Sequence, residues 1–428
     1  MKLSQLFTKT TKSNISDETS RGAQFLSRAG YVYKEMAGVY AYLPLGLRVL
    51  ENIKQIIREE MNAIGGQEVN MTALQSKEIW EKSGRWESAK MDIWFKTELS
   101  SGGELGLAPT HEEPIAAMMK HFISSYKDLP QYPYQFQIKF RNELRARSGL
   151  MRCREFWMKD LYSLSTNKEQ HDQFYDKVAD AYAKIYDRLK IGNITFKTFA
   201  SGGVFAKYSH EYQTISELGE DTVYQRADGL TINKEVFNDE VLKELGAKQD
   251  EFEQKRAIEV GNIFTLGTKY ADAEGLKYTD ETSQQQSVFM GSYGIGPSRV
   301  MGVLSEIFST DKGLRWPINL APFKIHLIGL GETGIKNANA FYEKMLQKGI
   351  EILFDDRENA RFGEKMADFE LIGCPLRVIF SDKLAETDPS SKTCEVLWNG
   401  LPDETPALLT ENTSKHLTFE QICDIIET

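Results

Sequence analysis

One stretch constrains the fold more than any other: Gln137–Ser163, QIKFRNELRARSGLMRCREFWMKDLYS. Apolar residues alternate in Phe136-Gln137-Ile138-Lys139-Phe140 and again in Phe156-Trp157-Met158, around a polar middle with Ser148-Gly149. A period of two on both sides of a glycine turn predicts a hairpin with a long loop. Seven basic residues crowd it (Lys139, Arg141, Arg145, Arg147, Arg152, Arg154, Lys159), against Glu143, Glu155 and Asp160. Basic runs are commonly solvated faces. Here an arginine stands at the end of each strand, Arg141 and Arg152, and two guanidiniums aimed at one place suit a polyphosphate.

Upstream, Ala37–Leu45 (AGVYAYLPL) is an aromatic segment ending in a Pro/Gly turn. Val49, Leu50, Ile53, Ile56, Ile57, Met61 and Ile64 share one helical face, Gly65-Gly66 stops that helix, and Gln67–Leu74 reads as a strand. Trp80–Trp86 is an aromatic loop of packing type. In Leu107–Pro114 (LAPTHEEP), Thr110 and Glu113 have the spacing of a capping box before the apolar helix Ile115–Met119. A carboxylate of this turn near the arginine hairpin can also hold an ammonium. His111 reads as structural, and the second histidine of a zinc HExxH pattern is missing. Glu169–Leu189 is helical, with Phe174, Val178, Ala181, Tyr182, Ile185 and Leu189 facing a core. Ile194–Ser201 is strand-like, and His210 in Tyr208–Tyr212 reads as a satisfied core or surface group rather than a catalyst. Residues 218–256 read as a solvated helical connection and Ala257–Leu266 as a buried strand. In Gln286–Met301 an apolar strand runs into Gly291, Gly294 and Gly296, and a helix starting near Pro297 carries Arg299. Strand, glycine turn and helix can bind phosphate, though this is neither a P-loop nor GxGxxG.

Leu314–Phe323 is a Pro-punctuated linker. Beyond it, strands and helices alternate (Ile325–Leu330, Ala338–Lys348, Glu351–Asp355, Arg361–Ile372, Leu376–Phe380), which predicts a small α/β domain. From 323 on there are 11 Lys and Arg against 19 Asp and Glu, so this end carries most of the net charge of −10. That balance argues against a general nucleic-acid coat. A nucleic acid would have to meet a local site, and Arg357, Arg361 and Lys365 form the candidate. The four cysteines have no CxxC spacing, which fits reduced thiols in a cytosol-type compartment and no zinc site. No run approaches a membrane span. The N-terminus lacks the apolar core of a secretory signal, but three lysines before Asp17 leave a transit peptide open.

The order FRNE, glycine turn, RxxxF resembles motif 2 of the class II aminoacyl-tRNA synthetases. The glycine strand with Arg299 resembles motif 3, and the helix and strand of about 37–74 resemble motif 1. That family usually has proline where Thr72 stands, which bears on the geometry of the strand end. With the AGVYAYLPLGLRVL, APTHEE, VGNIFTLGTKY and DDRENARFGEKMADFELIGCPLR segments, nearly the whole chain resembles the prolyl-tRNA synthetases. The resemblance implies an α+β catalytic domain over 1–320 with a mixed, mainly antiparallel sheet. Motif 2 would lie at about 136–163 and motif 3 at about 286–303. A small α/β anticodon-binding domain would cover 321–428. It implies ligation of L-proline to tRNA(Pro) through a prolyl-adenylate, with ATP and Mg2+ and no zinc, in a homodimer. The expected place is the cytoplasm, with the mitochondrial matrix open.

Carried over residue by residue, Arg141 and Arg299 would be catalytic. Thr110, Glu112, Arg141, Ser292 and Gly294 would hold proline. Arg141, Glu143, Arg152, Phe156, Glu259, Asn262 and Arg299 would hold ATP, and Arg357, Arg361 and Lys365 the anticodon. Only 94 residues separate Leu164 from Glu259, too few for the editing insertion of many bacterial relatives. Phe205-Ala206-Lys207 departs from the family's glycine-rich approach to Ser209-His210-Glu211. A class II synthetase for another amino acid, or a catalytically silent paralogue, are the alternatives.

Overall fold

The computed structural model describes residues 1–428 except 14–17, 88–90, 92, 147, 204–206, 388–392, 412 and 428. The chain forms two compact units. One comprises Met36–Val39 and Ile53–Val300; the other comprises Met1–Glu35, Tyr40–Asn52 and Met301–Thr428.

The first unit is built on nine strands: β1 (Gln67–Glu68), β2 (Pro133–Phe140), β3 (Glu155–Ser165), β4 (Thr195–Ser201), β5 (Tyr208–Ile215), β6 (Asp221–Arg226), β7 (Thr231–Asn233), β8 (Phe252–Gly267) and β9 (Phe289–Ile295). Their order is β5-β4-β7-β6-β8-β9-β3-β2-β1, and β5 also pairs with β8. The extra pairing closes five strands on themselves, while β8, β9, β3 and β2 continue as an open sheet. Among the described residues only β1–β2 and β4–β7 run parallel in it; the sheet is mixed and mainly antiparallel.

The back of the sheet is covered by a long helix, Lys168–Arg188, whose N-terminus is capped by the Asn167 side chain accepting from the Gln170 amide at 2.9 Å. Its apolar stripe, Phe174, Val178, Ala181, Tyr182 and Ile185, is buried as its spacing predicts. Each large apolar side chain buried there contributes about 1.5–3 kcal/mol.

Several local expectations change. Pro44 does not sit in a turn. It opens the helix Pro44–Ala63, where a missing N–H costs nothing. Gln67–Leu74 is not one strand. β1 ends at Glu68, residues 69–73 leave the sheet, and Leu74–Ser76 joins a separate three-stranded sheet. The Trp80–Trp86 loop begins as a short helix, Lys77–Lys82, and its tryptophans do pack, with Trp94, as a buried cluster. The stretch 218–256 is no helical connection. It supplies β6, β7 and the start of β8, and Ile232, Val236, Val241 and Leu242 form its own small core. The Asp228-Gly229 turn between β-branched runs was the available signal.

In the second unit a five-stranded sheet has Leu376–Ser381 at its centre, and Ile325–Leu330 lies between it and the edge strand Leu353–Asp355, parallel to both. Thr393–Trp398 and Lys415–Thr418 extend it antiparallel. This is the expected small α/β sheet with an antiparallel edge.

Candidate active site

Residues directly opposite in an antiparallel pair point to the same face. The pairs Gln135↔Asp160, Gln137↔Met158 and Lys139↔Phe156 therefore share one face of β2–β3. β9 adds Gly294 opposite Asp160 and Ser292 opposite Tyr162, and β8 adds Asn262 opposite Gly294. A cavity opens on this face. It is lined by all seven residues assigned to ATP (Arg141, Glu143, Arg152, Phe156, Glu259, Asn262 and Arg299) and by Gly294.

The three arginines are held differently. Arg299, in the first turn of the helix Pro297–Ile307, donates from Nε to the Met151 carbonyl at 2.9 Å. Its Nη1 donates to the Glu259 carbonyl and to Glu259 Oε2, each at 2.9 Å. Arg152 is spoken for by carboxylates, with Nε 2.9 Å from Glu143 Oε2 and Nη1 3.1 Å from Glu220 Oε2. Arg141 has one hydrogen bond, from Nε to the Pro109 carbonyl at 3.2 Å, and its guanidinium lies 5.3 Å from the Phe156 ring centroid. Its two terminal nitrogens have no partner among the described residues. Burial, then the nearby Arg299, push its pKa below the usual arginine value. A half-buried cation left bare in this way is poised for an anion.

Gly291 and Gly294 lie within β9 rather than in the turn before the helix, so only Gly296 belongs to that turn. Close approach explains two glycines of the cavity wall. A Cβ on Gly261 would come 2.4 Å from Tyr186 Oη, and one on Gly294 would come 2.9 Å from Asn262 Oδ1. Asn262 Nδ2 donates to Glu259 Oε1 at 3.0 Å, completing the Glu259–Arg299 arrangement.

Thr110 does not cap the following helix, so the capping-box expectation fails. The helix Glu112–Met119 has His111 at its N-cap and no side-chain cap. Thr110 Oγ1 instead lies 2.7 and 2.8 Å from the two oxygens of Glu112, and Ser292 Oγ is 3.5 Å from Oε1. Thr110, Glu112 and Ser292 therefore meet, beside but not on the lining of the arginine cavity. His111 is structural, as expected. Lys139 Nζ donates to its Nδ1 at 2.6 Å, so the proton is on Nε2, which donates to the Thr72 carbonyl at 3.0 Å. Burial, then Lys139, hold its pKa near 4. The ring thus ties Thr72 to the turn that carries Thr110 and Glu112. Beneath it Lys139 Nζ is 2.9 Å from Asp160 Oδ1, while Gln135 and Tyr162 donate to Oδ2 at 3.0 and 2.9 Å.

Sequence reasoning missed Arg85. It belongs to no motif, yet its Nη1 lies 3.2 Å from Glu112 Oε2 and 3.2 Å from both oxygens of Glu113. It also missed Glu211, which sits opposite Asn262 and whose carboxyl is pushed up to about 8 by burial and by Glu259. His210 Nδ1 and Tyr175 Oη are hydrogen-bonded at 2.8 Å, which suits its non-catalytic reading. Arg147, Phe205 and Ala206 lie outside the described residues; Lys207 pairs with Glu240 at 2.6 Å.

In the C-terminal sheet the expected basic surface is largely consumed inside the domain. Arg357 Nη2 pairs with Asp355 at 2.6 Å and Asp368 at 2.7 Å. Lys365 is buried, donating to the Gly329 carbonyl at 2.9 Å. A carboxylate on a neighbouring strand drew both cations inward. Arg361, at the N-cap of Phe362–Ile372, is exposed beside the exposed Phe362.

Among the described residues no group of three His, Cys, Asp or Glu forms a metal cage, and no helix is long and apolar enough to cross a membrane. Comparison with known proteins places the chain in a family. The model of the family described as "tRNA synthetase class II core domain (G, H, P, S and T)" matches residues 95–308, and that of "Anticodon binding domain" matches 324–392. A proline–tRNA ligase of Anaplasma phagocytophilum is 36% identical over 89% of this chain and 92% of its own length. A proline–tRNA ligase of Geobacillus kaustophilus is 31% identical over 90% of this chain and 94% of its own. That second alignment runs over 539 residues, more than the 428 here, so this relative carries a segment absent from this chain. The fold matches Giardia lamblia prolyl-tRNA synthetase, solved in complex with prolyl-adenylate, with a TM-score of 0.73 at 17% identity over 94% of this chain and 77% of that one. The chain belongs to the prolyl-tRNA synthetase (proline–tRNA ligase) family, with a class II catalytic core followed by an anticodon-binding domain.

Proposed function

We propose that this protein activates L-proline with ATP to prolyl-adenylate and pyrophosphate, then transfers the prolyl group to the terminal ribose of tRNA(Pro). The observation that carries the reading is the bare, half-buried fork of Arg141 beside Arg299 in a cavity floored by glycines. Adenine stacks on Phe156 with Glu143 near its edge, Arg152 turns from its carboxylates to the phosphates, and Arg299 takes the γ-phosphate. Arg141 bridges the proline carboxylate and the α-phosphate. The proline ammonium faces Glu112, with Thr110 and Ser292 holding that carboxylate and Gly294 lining the pocket.

A carboxylate is already nucleophilic, so the attack on the α-phosphorus needs no strong base. Positioning and charge stabilisation supply the catalysis. Magnesium enters with ATP as part of the substrate, and Glu259 offers it the hard oxygen ligand it prefers. The catalytic domain spans 1–320 without an editing insertion, and 321–428 meets the anticodon through Arg361. Two copies pair through the segment from the helix Pro44–Ala63 to residue 74.

ATP–pyrophosphate exchange with each of the twenty amino acids tests the assignment. Exchange driven by proline is expected. Exchange driven by threonine or histidine but not proline would overturn it.

A further inference from the structure

Glu112 and Glu113 are adjacent in sequence and both buried, with side-chain exposures of 4% and 0%. Two neighbouring carboxylates in such a place do not both ionise unless a cation joins them. Arg85 is that cation. Itself buried, it touches both carboxylates through the single nitrogen Nη1, which also donates to Tyr270 Oη at 3.1 Å. Its guanidinium carbon lies 5.0 Å from the Trp80 ring centroid, and Trp80 is locked against Trp94 at 4.3 Å. The arginine is thus placed by the tryptophan cluster and not by the motifs.

The two acids are otherwise supported unequally. Glu113 takes a second hydrogen bond from Ser83 Oγ at 2.6 Å. Glu112 has the hydroxyls of Thr110 and Ser292. With both acids ionised the trio carries one net negative charge, which is what a cationic amine requires. Remove Arg85 and one acid must take a proton. Remove only Glu113 and the remaining Arg85–Glu112 pair is neutral.

We propose that Arg85 is a positioning residue of the amino-acid site. It takes up the charge of Glu113 and so keeps Glu112 ionised and aimed at the substrate ammonium, which rests on the reading of Glu112 as the group facing the amine. Arg85 itself does not touch the substrate.

The test is the KM for proline and for ATP in pyrophosphate exchange, for the full chain and for Arg85→Met, Glu113→Gln and the double variant. Arg85→Met should raise the proline KM about 30-fold or more, the size expected when one partner of a buried charge pair is removed. The ATP KM should stay within about three-fold of the unmutated protein, because no phosphate contact changes. Glu113→Gln should raise the proline KM about ten-fold. In the double variant Glu112 is again a lone carboxylate with one net negative charge. Its proline KM should return to within about five-fold of the unmutated value, a rescue that a purely structural role does not give. A double variant as poor as Arg85→Met, or poorer, overturns the proposal. Should Arg85→Met alone fail to fold, the double variant carries the decision, since it does not leave two buried carboxylates without a cation. A different failure, an unchanged proline KM in Glu112→Gln, would instead remove the assignment of Glu112 to the amine.

Discussion

Replacing Arg141 by alanine should cost most of the catalysis and little or none of the stability. The rate side follows from its position on charge developing at the phosphoryl group. Loss of one such donor typically lowers the rate about 10²–10³-fold, or about 2.7–4 kcal/mol. The stability side follows from how poorly the folded protein supports the side chain. Alanine removes one hydrogen bond to the Pro109 carbonyl at 3.2 Å, a net contribution of about 1 kcal/mol. It also removes the contact with the Phe156 face at 5.3 Å, about 0.5–2 kcal/mol. Against these stands a half-buried guanidinium near a second one, whose partial desolvation costs about 1–3 kcal/mol. The terms nearly cancel or favour the variant. Pyrophosphate exchange and a thermal melt on one preparation decide the matter. Exchange within about five-fold of the unmutated protein would remove Arg141 from the chemistry. A melting temperature lower by about 5 °C or more would show that the bare fork has a structural partner after all.

Three further outcomes are expected. Light scattering at micromolar concentration should give about twice the chain mass of 48.8 kDa, and a monomer mass would contradict the pairing assigned to the motif 1 segment. Burial lowers the pKa of His111, His171, His210 and His326 to about 4, below an ordinary value of 6.5, so the unfolded chain binds their protons first. Their contribution is complete above pH 6.5 and is lost as pH falls through 4, by up to about 3 kcal/mol for a fully buried ring, and a melting temperature flat over that window would reject it. Arg361→Glu should raise the KM for tRNA while leaving pyrophosphate exchange unchanged, whereas Lys365→Glu should lower the melting temperature, and equal effects of the two would show that burial does not separate their roles.

The hairpin, the glycine strand and the long back helix were legible because each writes its period into neighbouring residues. The seven residues assigned to ATP come together around one cavity because their segments all flank that framework: its strands, the loop between two of them and the helix that follows the glycine strand. What was hidden depends on contacts between residues far apart in the chain. Arg85 carries no pattern of its own, and only folding shows that it bridges two acids 27 and 28 positions away. Lys365 looked like surface charge because nothing in its own helix announces the Gly329 carbonyl above it. Thr110 and Glu113 had the spacing of a cap, but the hydroxyl was drawn to the nearer carboxylate of Glu112. The 218–256 stretch failed differently: its charged residues sit on exposed positions of real strands, and the mixture masked their alternation.

The consecutive pair Lys159-Asp160 also has a bearing on how the chain finds its structure. Both are fully or almost fully buried, on opposite faces of one strand. Lys159 Nζ reaches Tyr182 Oη at 2.6 Å and the Tyr293 carbonyl at 2.9 Å, while Asp160 meets Lys139. A slip of one residue in the pairing of this strand would exchange the two faces. Two ammonium groups would then meet on the front, and a carboxylate would be stranded among tyrosines behind. Misaligned hairpins are therefore penalised electrostatically on both sides before any substrate is present. The two neighbours act as a key for strand alignment, and the placement of Arg141, directly after β2, and of Arg152, in the loop before β3, follows from that key.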